Sequence, residues 1–215
     1  MLKNTSLIIF IFLFIGCQQN DKNPKANIDL HENSPGMNGG VFNPREINNI
    51  PTVDEKSTFS ASNLALTWLG SQQEEEGFWN TGKWEGDGTP ETNAATTGMV
   101  IMTFLSTGFN SNGGKWCIVI NKSILWLIKN QKTDGSFAQN NFVNGICTMA
   151  LTEATGMGCK TEGLSNAANI AVDYILKQQN PSCGFWYYGP KGNGTPSEFD
   201  DMAVTTWCMM GLKSA

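Results

Sequence analysis

Histidine is almost absent from this chain of 215 residues, which contains only His31. Zinc sites with several histidines are excluded, and a Ser-His-Asp or Cys-His catalytic site would have to use that one residue. Basic residues are few as well, with 14 Lys and Arg against 19 Asp and Glu and a net charge of -5. Because phosphate binding needs a basic face, we expect no nucleic-acid partner. Any chemistry must rest on carboxylates, hydroxyls, thiols or aromatic rings.

Long apolar runs are also rare. Residues 7–15 (LIIFIFLFI) form one after Lys3, and it is too short to cross a bilayer but has the length of a signal-peptide core. The string FIGC at residues 14–17 resembles the lipobox of bacterial lipoproteins, in which a peptidase cuts before a lipid-modified cysteine. The resemblance implies a signal peptide over residues 1–16 and a membrane anchor on Cys17. Gln18 after the cysteine then implies the outer membrane of a bacterial cell envelope.

The next segment, residues 17–57, has the composition of a flexible tether. It is rich in asparagine and contains Pro24, Pro35, Pro44 and Pro51, with no sustained apolar period. His31 lies in this segment and is expected to be inert, because catalysis needs partners held in fixed positions. With 40% hydrophobic and 10% aromatic residues overall, the chain has enough apolar material for one globular domain over residues 58–215.

Five cysteines follow Cys17, which is an odd number. In the oxidising compartment that an exported protein reaches, at least one of them must stay unpaired or pair between chains. The sequence leaves the pairing open among Cys117, Cys147, Cys159, Cys183 and Cys208.

Residues 58–215 contain a repeat. Each copy has an aromatic residue five positions before a glutamine, a glycine four or five positions after it, and a second aromatic residue six or seven positions after it. The glutamines and later aromatics are Gln73 with Trp79, Gln131 with Phe137, and Gln179 with Trp186. A fixed repeat of this kind predicts three stacked units, over about residues 58–110, 111–157 and 158–215.

Each unit is predicted to be a helical hairpin. The residues before each glutamine have helical apolar spacing, and we expect one face of each of these first helices to pack inward. These faces contain Leu64, Trp68, Ile118, Leu125, Ile170 and Tyr174. The glycine and aromatic residue then form a turn, and a second apolar helix follows at residues 95–107, 142–155 and 202–213.

The second helices resemble one another. Those of the second and third repeats superpose at an offset of 61 residues, which aligns Cys147 with Cys208 and predicts two buried, inert thiols. The second helices are also rich in methionine, which suits core packing or loose apolar binding. The methionines are Met99, Met102, Met149, Met209 and Met210. Residues 86–90 (GDGTP) match residues 192–196 (GNGTP), and turn chemistry before a helix competes here with a ligand-binding or cation-binding loop.

The repeated hairpin with Gln, Gly and Trp or Phe at its turn resembles the QW motif of terpenoid cyclases. It is similar also to the repeat of protein prenyltransferase β subunits, and these families together form the α/α toroid superfamily. The resemblance implies an all-α fold in which three hairpins form an incomplete ring. It also implies that the three glutamines engage helix ends and stack on the turn aromatics. Phe137 departs from the motif, since it replaces a tryptophan.

Two activities of the superfamily lack their residues. Prenyltransferases hold zinc with Asp, Cys and His, and residues 58–215 contain no histidine, so we predict no metal site and no cofactor. Complement-type thioester proteins need a Cys-Gly-Glu-Gln segment, and the similar string GCQQ at residues 16–19 belongs to the lipobox.

A class II isoprenoid cyclase of the squalene-hopene type is the alternative that the resemblance leaves open. These enzymes protonate an apolar substrate with the middle Asp of an Asp-x-Asp-Asp-Thr-Ala motif, and the string EFDDMA at residues 198–203 is similar. Asp200 would be the general acid, with Glu198 and Asp201 as the neighbouring carboxyls that help it keep its proton. The competing interpretation is that this Asp pair caps the following helix.

We expect a binding or assembly role rather than catalysis. A closed toroid has about a dozen helices, whereas three hairpins supply six, so the half ring should expose an apolar flank. Self-association, or pairing with another toroid half, would cover it, and the concave face of the second helices could bind an apolar, isoprenoid-like ligand. The leading interpretation is a lipid-anchored toroid repeat protein.

Overall fold

Six α-helices make up the described part of the chain, which in the computed structural model comprises residues 55–182, 184–189 and 202–215. In chain order they are α1 (Glu55–Ser71), α2 (Pro90–Ser106), α3 (Cys117–Asn130), α4 (Asn141–Gly156), α5 (Leu164–Gln178) and α6 (Met202–Ser214). A short 3-10 helix, Thr81–Trp84, lies between α1 and α2, and these ranges contain no β-strand. Among these helices, none has the length and hydropathy needed to cross a membrane. The prediction of an all-α fold is confirmed.

The second helices of the second and third repeats follow their predicted spans closely, and local capping sets where α2 and α4 start. Helix α4 begins after Asn140, whose side chain accepts a hydrogen bond from the backbone N–H of Val143. Helix α2 begins at Pro90, earlier than predicted, because the Thr89 hydroxyl caps the backbone N–H of Thr92. Proline suits this first position because its missing N–H would have no partner inside the helix.

Helices α2, α4 and α6 lie side by side in one layer, with α4 in the middle. A Cβ on Gly145 of α4 would lie 2.9 Å from the backbone N of Cys208, and one on Gly211 of α6 would lie 3.2 Å from Cγ2 of Thr148. Because the residue numbers of the paired positions rise together, α4 and α6 run parallel. The two glycines allow the helix backbones to approach closely.

The contact between α2 and α4 has the same form. The Cys147 thiol lies 3.5 Å from the carbonyl O of Ala94, and a Cβ on Gly98 would lie 3.1 Å from Cγ2 of Ile146 and 3.6 Å from Cβ of Ala150. These two helices are therefore parallel as well. All three second helices begin at the same end of the layer.

Helices α3 and α5 form a second layer against the first. Helix α3 contacts α2 and α5, and α5 also contacts α4 and α6. Helix α4 is the most enclosed, with 13 of its 16 residues buried. Helix α1 is the least enclosed, because Leu66 is the only side chain described in it that is buried.

The prediction of which first-helix faces pack inward is wrong for α1 and α3. Leu64 and Trp68 of α1 are 69% and 50% exposed, and Ile118 and Leu125 of α3 are 70% and 42% exposed. The predicted face of α5 is nearer to the observed one, because Tyr174 is buried.

Helix α3 shows the physical reason for this error. It has two apolar stripes, and the buried stripe contains Ile120, Ile124 and Leu127, none of which has exposed surface. Helical spacing identifies both stripes equally well. Contact with α2 and α5 decides which of them enters the core.

Candidate functional site

The three Gln-Gly-aromatic segments fold into turns with the same backbone hydrogen bond. We name them turn 1 (residues 73–79), turn 2 (residues 131–137) and turn 3 (residues 179–186, of which Cys183 lies outside the described residues). In each turn the residue after the glutamine donates its N–H to the carbonyl of the residue before the later aromatic. The pairs are Glu74 with Phe78 at 2.8 Å, Lys132 with Ser136 at 2.8 Å, and Asn180 with Phe185 at 3.0 Å. The glycine of each turn has a φ between +82° and +106°, where an L side chain is strained.

In turn 1 the glutamine side chain joins the turn to the next hairpin. Nε2 of Gln73 donates to the carbonyl of Gly77 at 3.0 Å and to the carbonyl of Val119 at 2.9 Å. Val119 lies near the start of α3. The amide therefore fixes the turn of the first hairpin to the first helix of the second hairpin.

Turn 2 repeats this link to the third hairpin. Nε2 of Gln131 donates to the carbonyl of Gly135 at 3.1 Å and to that of Ala167, in the first turns of α5, at 3.0 Å. In turn 3, Nε2 of Gln179 donates to the carbonyl of Gly184 at 2.6 Å. Val119 and Ala167 each lie twelve residues before the glutamine of their own repeat, so the two links use equivalent positions.

The turn aromatics Trp79, Phe137 and Trp186 are all buried. The indole Nε1 of Trp79 donates to the carbonyl of Leu69 at 2.8 Å, and that of Trp186 donates to the carbonyl of Ile175 at 2.8 Å. Each tryptophan thus returns a hydrogen bond to the helix that precedes its turn. Phe137 fills the same position without this donor.

A polar side chain on each second helix, which is not among the predicted site residues, accepts the backbone N–H of the turn aromatic. The acceptors are Thr97 for Trp79 at 3.3 Å, Asn144 for Phe137 at 2.8 Å, and Thr205 for Trp186 at 3.2 Å. The offset of 61 residues aligns Asn144 with Thr205, so that superposition contained the signal. A polar residue at matched positions of two otherwise apolar helices indicates a shared partner.

The turn glycines of the first two repeats lie directly against the next hairpin. A Cβ on Gly77 would be 2.4 Å from the carbonyl O of Lys122, and one on Gly135 would be 2.4 Å from that of Ile170. A Cβ on Gly184 would have no atom within 4 Å. Turn 3 therefore has the same internal geometry as the others but lacks this close helix contact in the described structure.

The loop at residues 86–90 is closed by its own hydrogen bonds. Oδ1 of Asp87 accepts from the hydroxyl of Thr92 at 2.5 Å and from the backbone N–H of Thr89 at 3.0 Å. The Thr92 hydroxyl and the Thr89 backbone bond lower the pKa of the exposed Asp87 carboxyl. Nδ2 of Asn93 also donates to the carbonyl of Gly88 at 3.3 Å, which ties the loop to α2. These bonds favour turn chemistry, and the matching residues 192–196 lie outside the described ranges.

The two aligned thiols are buried, as the superposition predicts. Cys147 and Cys208 have no exposed surface, and burial raises the pKa of both, that of Cys208 to about 12. Both thiols therefore remain protonated at neutral pH and are poor nucleophiles. Within the described ranges, Cys117 and Cys159 are also free and are partly exposed.

The methionines of the second helices differ in exposure. Met102 and Met149 are core residues and Met210 is partly buried against the core, whereas Met99 and Met209 are exposed on α2 and α6. Core packing therefore explains only part of the methionine content. The exposed part forms apolar, adaptable surface at the two outer helices of the layer.

The predicted acid cluster and lipid site lie outside the described residues. This applies to Glu198, Asp200 and Asp201, and to Cys17 in the amino-terminal segment. Asp200 and Asp201 immediately precede α6, whose first described residue is Met202. Within the ranges that the structure does describe, no group of three or more His, Cys, Asp or Glu side chains is placed to hold a metal ion.

Comparison with known proteins found no match for this chain. No family model, no curated protein and no solved structure matches it. The geometry of the turns and helix layers is therefore the basis for a functional proposal.

Proposed function

We propose that this chain is a lipid-anchored helical repeat protein of the α/α toroid type in a bacterial cell envelope, with a binding or assembly role. The observation that carries the proposal is the repeated link from each of the first two turns to the next hairpin. Gln73 and Gln131 make the same two hydrogen bonds at equivalent positions. A chain that joins its units in this way is built as a scaffold of stacked hairpins.

The second helices support the toroid interpretation. They run parallel in one layer, and glycines bring them close in both contacts, Gly98 between α2 and α4 and Gly145 between α4 and α6. Each hairpin thus joins its neighbour through its second helix and through its turn. Repetition of both contacts in the same register is what a ring or solenoid of hairpins requires.

The side chains of the second helices favour binding over chemistry. The thiols of Cys147 and Cys208 are buried with raised pKa values, so neither is an activated nucleophile. The exposed apolar residues of this layer are methionines, among them Met99 and Met209. Flexible thioether side chains adapt to other apolar surfaces, which suits protein contact or a loosely held apolar molecule.

The lipid anchor is tested by labelling the full chain with radioactive palmitate in a Gram-negative host. Wild type should incorporate the label and Cys17→Ser should not, because the acyl chains are attached through that thiol. Cys159→Ser is the matched control and should be labelled like wild type. Label that persists on Cys17→Ser would contradict the lipoprotein assignment.

The absence of cyclase activity is tested with a squalene-like polyene. We expect no cyclised product from the wild-type chain. Asp200→Asn and the matched variant Asp201→Asn should change the free energy of unfolding by less than about 0.5 kcal/mol, because asparagine caps a helix as well as aspartate does. Product that forms with wild type and disappears with Asp200→Asn would overturn the proposal in favour of an isoprenoid cyclase with Asp200 as its acid.

A further inference from the structure

The contact between a turn and the first helix of the next hairpin occurs twice in this chain and has a fixed register. In each case the residue twelve positions before the glutamine that follows the helix accepts a hydrogen bond from the glutamine of the preceding turn. The residue nine positions before that same following glutamine lies against the glycine of the preceding turn. The residues nine positions before are Lys122 in α3 and Ile170 in α5, and both are half-buried. These two positions on a first helix therefore form its contact with the preceding turn.

Helix α1 presents the same two positions to solvent. Ala61 lies twelve residues before Gln73 and is exposed, and Leu64 lies nine residues before it and is among the most exposed apolar residues. At the other end of the chain of contacts, a Cβ on Gly184 in turn 3 would have no described atom within 4 Å. Helix α1 thus has exposed residues at the positions that contact a turn, and no described residue occupies the equivalent place beside Gly184.

Helix α1 and turn 3 each contain one aromatic residue of a type that already forms a stacked pair between turn 1 and α3. Phe78 of turn 1 stacks on Trp126 of α3, with ring centroids 4.9 Å apart and an interplanar angle of 18°. Phe185 occupies the position of Phe78 in turn 3, where its ring meets Tyr187 edge to face. Trp68, half exposed and edge to face with Trp84, occupies the position of Trp126 in α1, so stacking on the ring face is open to both. Turn 2 has Ser136 instead of a phenylalanine, so only turn 1 and turn 3 have this half of the pair.

The two outer helices of the layer, α2 and α6, also have exposed residues at the positions that form the contacts between second helices. Ile146 packs against Gly98, and Trp207, at the next equivalent position, packs against Gly145. The same position in α2 is Met99, which is exposed. At the other end of the layer, in α6, Thr206 occupies the position that is Gly98 in α2 and Gly145 in α4. Thr206 is exposed and larger than glycine, so a helix packed against α6 there would lie further from it.

From this match we infer that two copies of the chain associate head to tail, with α1 of one copy seated on turn 3 of the other. Trp68 then stacks on the partner's Phe185, and Leu64 covers the partner's Gly184. The contact continues the interface that already joins turn 1 to α3 and turn 2 to α5. The inference rests on the proposed toroid, in which two sets of six helices give the dozen of a closed ring. A rotation that closes after two copies buries both ends of each chain.

The first test measures the mass of the full chain in a mild non-ionic detergent by light scattering, over a concentration series. Wild type should be a dimer, and Leu64→Glu should raise the dissociation constant at least about 10-fold, because it places a charge in the centre of the contact. Ile118→Glu is the matched control, since Ile118 and Leu64 are 70% and 69% exposed on neighbouring first helices. We expect the control to change the constant less than about 2-fold.

The second test distinguishes head-to-tail association from a symmetric patch. Leu64→Glu damages only the α1 side and Phe185→Ala only the turn 3 side, so each variant alone has two damaged contacts per dimer. A mixture of the two variants, carrying different tags, can form a dimer with one intact contact. Co-purification of the two tags at a concentration where each variant alone is monomeric is the expected result.

Three results would overturn the inference. They are a monomeric wild-type chain, a dimer that Leu64→Glu weakens no more than Ile118→Glu does, and a mixture of variants that stays monomeric. A ladder of larger assemblies would overturn closure after two copies, because it shows a rotation that does not close. None of these results affects the predicted palmitate labelling at Cys17 or the cyclase assay, so failure here is distinct from failure of the proposed function.

Discussion

Turn 1 and turn 3 have the same internal structure and different surroundings. In both, the tryptophan indole donates at 2.8 Å to a carbonyl of the preceding helix, and its backbone N–H donates to a threonine of the following helix. Gly77 of turn 1 then lies against the backbone of Lys122, whereas the Cβ position of Gly184 meets no described atom. The difference shows that each hairpin stabilises its own turn, and that contact with a neighbouring hairpin is a separate interaction.

Turn 2 shows how one part of the turn can be replaced. Phe137 has no indole donor, and Oδ1 of Asn144 accepts two backbone N–H groups, those of Phe137 at 2.8 Å and Ala138 at 3.0 Å. The threonine Thr97 of the first repeat accepts one such bond from Trp79. An additional bond from the turn backbone to α4 thus accompanies the loss of the indole bond to the preceding helix.

Removal of the turn tryptophans should have the largest effect and should not distinguish the two turns. Trp79→Ala and Trp186→Ala should each reduce the free energy of unfolding by about 3 kcal/mol or more, because each empties a buried ring position. Chemical denaturation followed by circular dichroism measures both. A loss at Trp186 less than half of that at Trp79 would mean that turn 3 is not an independent copy of turn 1.

Alanine at the turn glycines should separate the two turns. Gly77→Ala should cost about 3 kcal/mol or more, because the left-handed φ strains the residue and its Cβ would collide with the Lys122 carbonyl. Gly184→Ala carries only the conformational strain and should cost about 1–2 kcal/mol. Thermal melts at a concentration where the chain is monomeric give both values. Equal losses would show that the contact with α3 adds nothing to turn 1.

The glutamine link should have an intermediate effect. Gln73→Ala removes two side-chain hydrogen bonds, one of them to α3, and should cost about 2 kcal/mol at a typical 1 kcal/mol for each bond. Gln72→Ala is the matched control, because the side-chain amide of Gln72 bonds only to the neighbouring Ser71 hydroxyl and should change stability by less than about 0.5 kcal/mol. A loss at Gln73 as small as that at Gln72 would remove the link from the account of how hairpins are joined.

The last effect appears only at high pH and concerns the two buried thiols, Cys147 and Cys208. An unfolded thiol has a pKa near 8.5, and burial raises that of folded Cys208 to about 12, so above pH 9 the unfolded state binds fewer protons. Stability should therefore fall as pH rises from about 9 towards 12, by at most about 1.4 kcal/mol per pH unit for each such thiol. Cys208→Ala should flatten this fall, measured by urea unfolding at pH 7 and pH 10. Parallel curves for wild type and variant would contradict it.

The sequence predicted the all-helical class, the spans of the second helices of repeats two and three, and the turn residues with good accuracy. The spans of α4 and α6 follow from spacing and residue type. The exposed faces of α1 and α3 did not follow, because Ile118 and Ile120 both fit a helical stripe and only packing distinguishes them. The anchoring residues Thr97, Asn144 and Thr205 were missed because a single polar residue in an apolar helix has many explanations until its partner is known.

The sequence by itself determined the all-α class and the three Gln-Gly-aromatic turns, because helical periodicity, capping residues and glycines at positive φ act within a few residues of one another. Only the tertiary structure decided which stripe of each first helix is buried and which carbonyl each glutamine reaches. Gln73 and Val119 are 46 residues apart, and Gln131 and Ala167 are 36 apart. Contacts between residues so far apart in the sequence depend on how the helices pack, and no local sequence pattern predicts them.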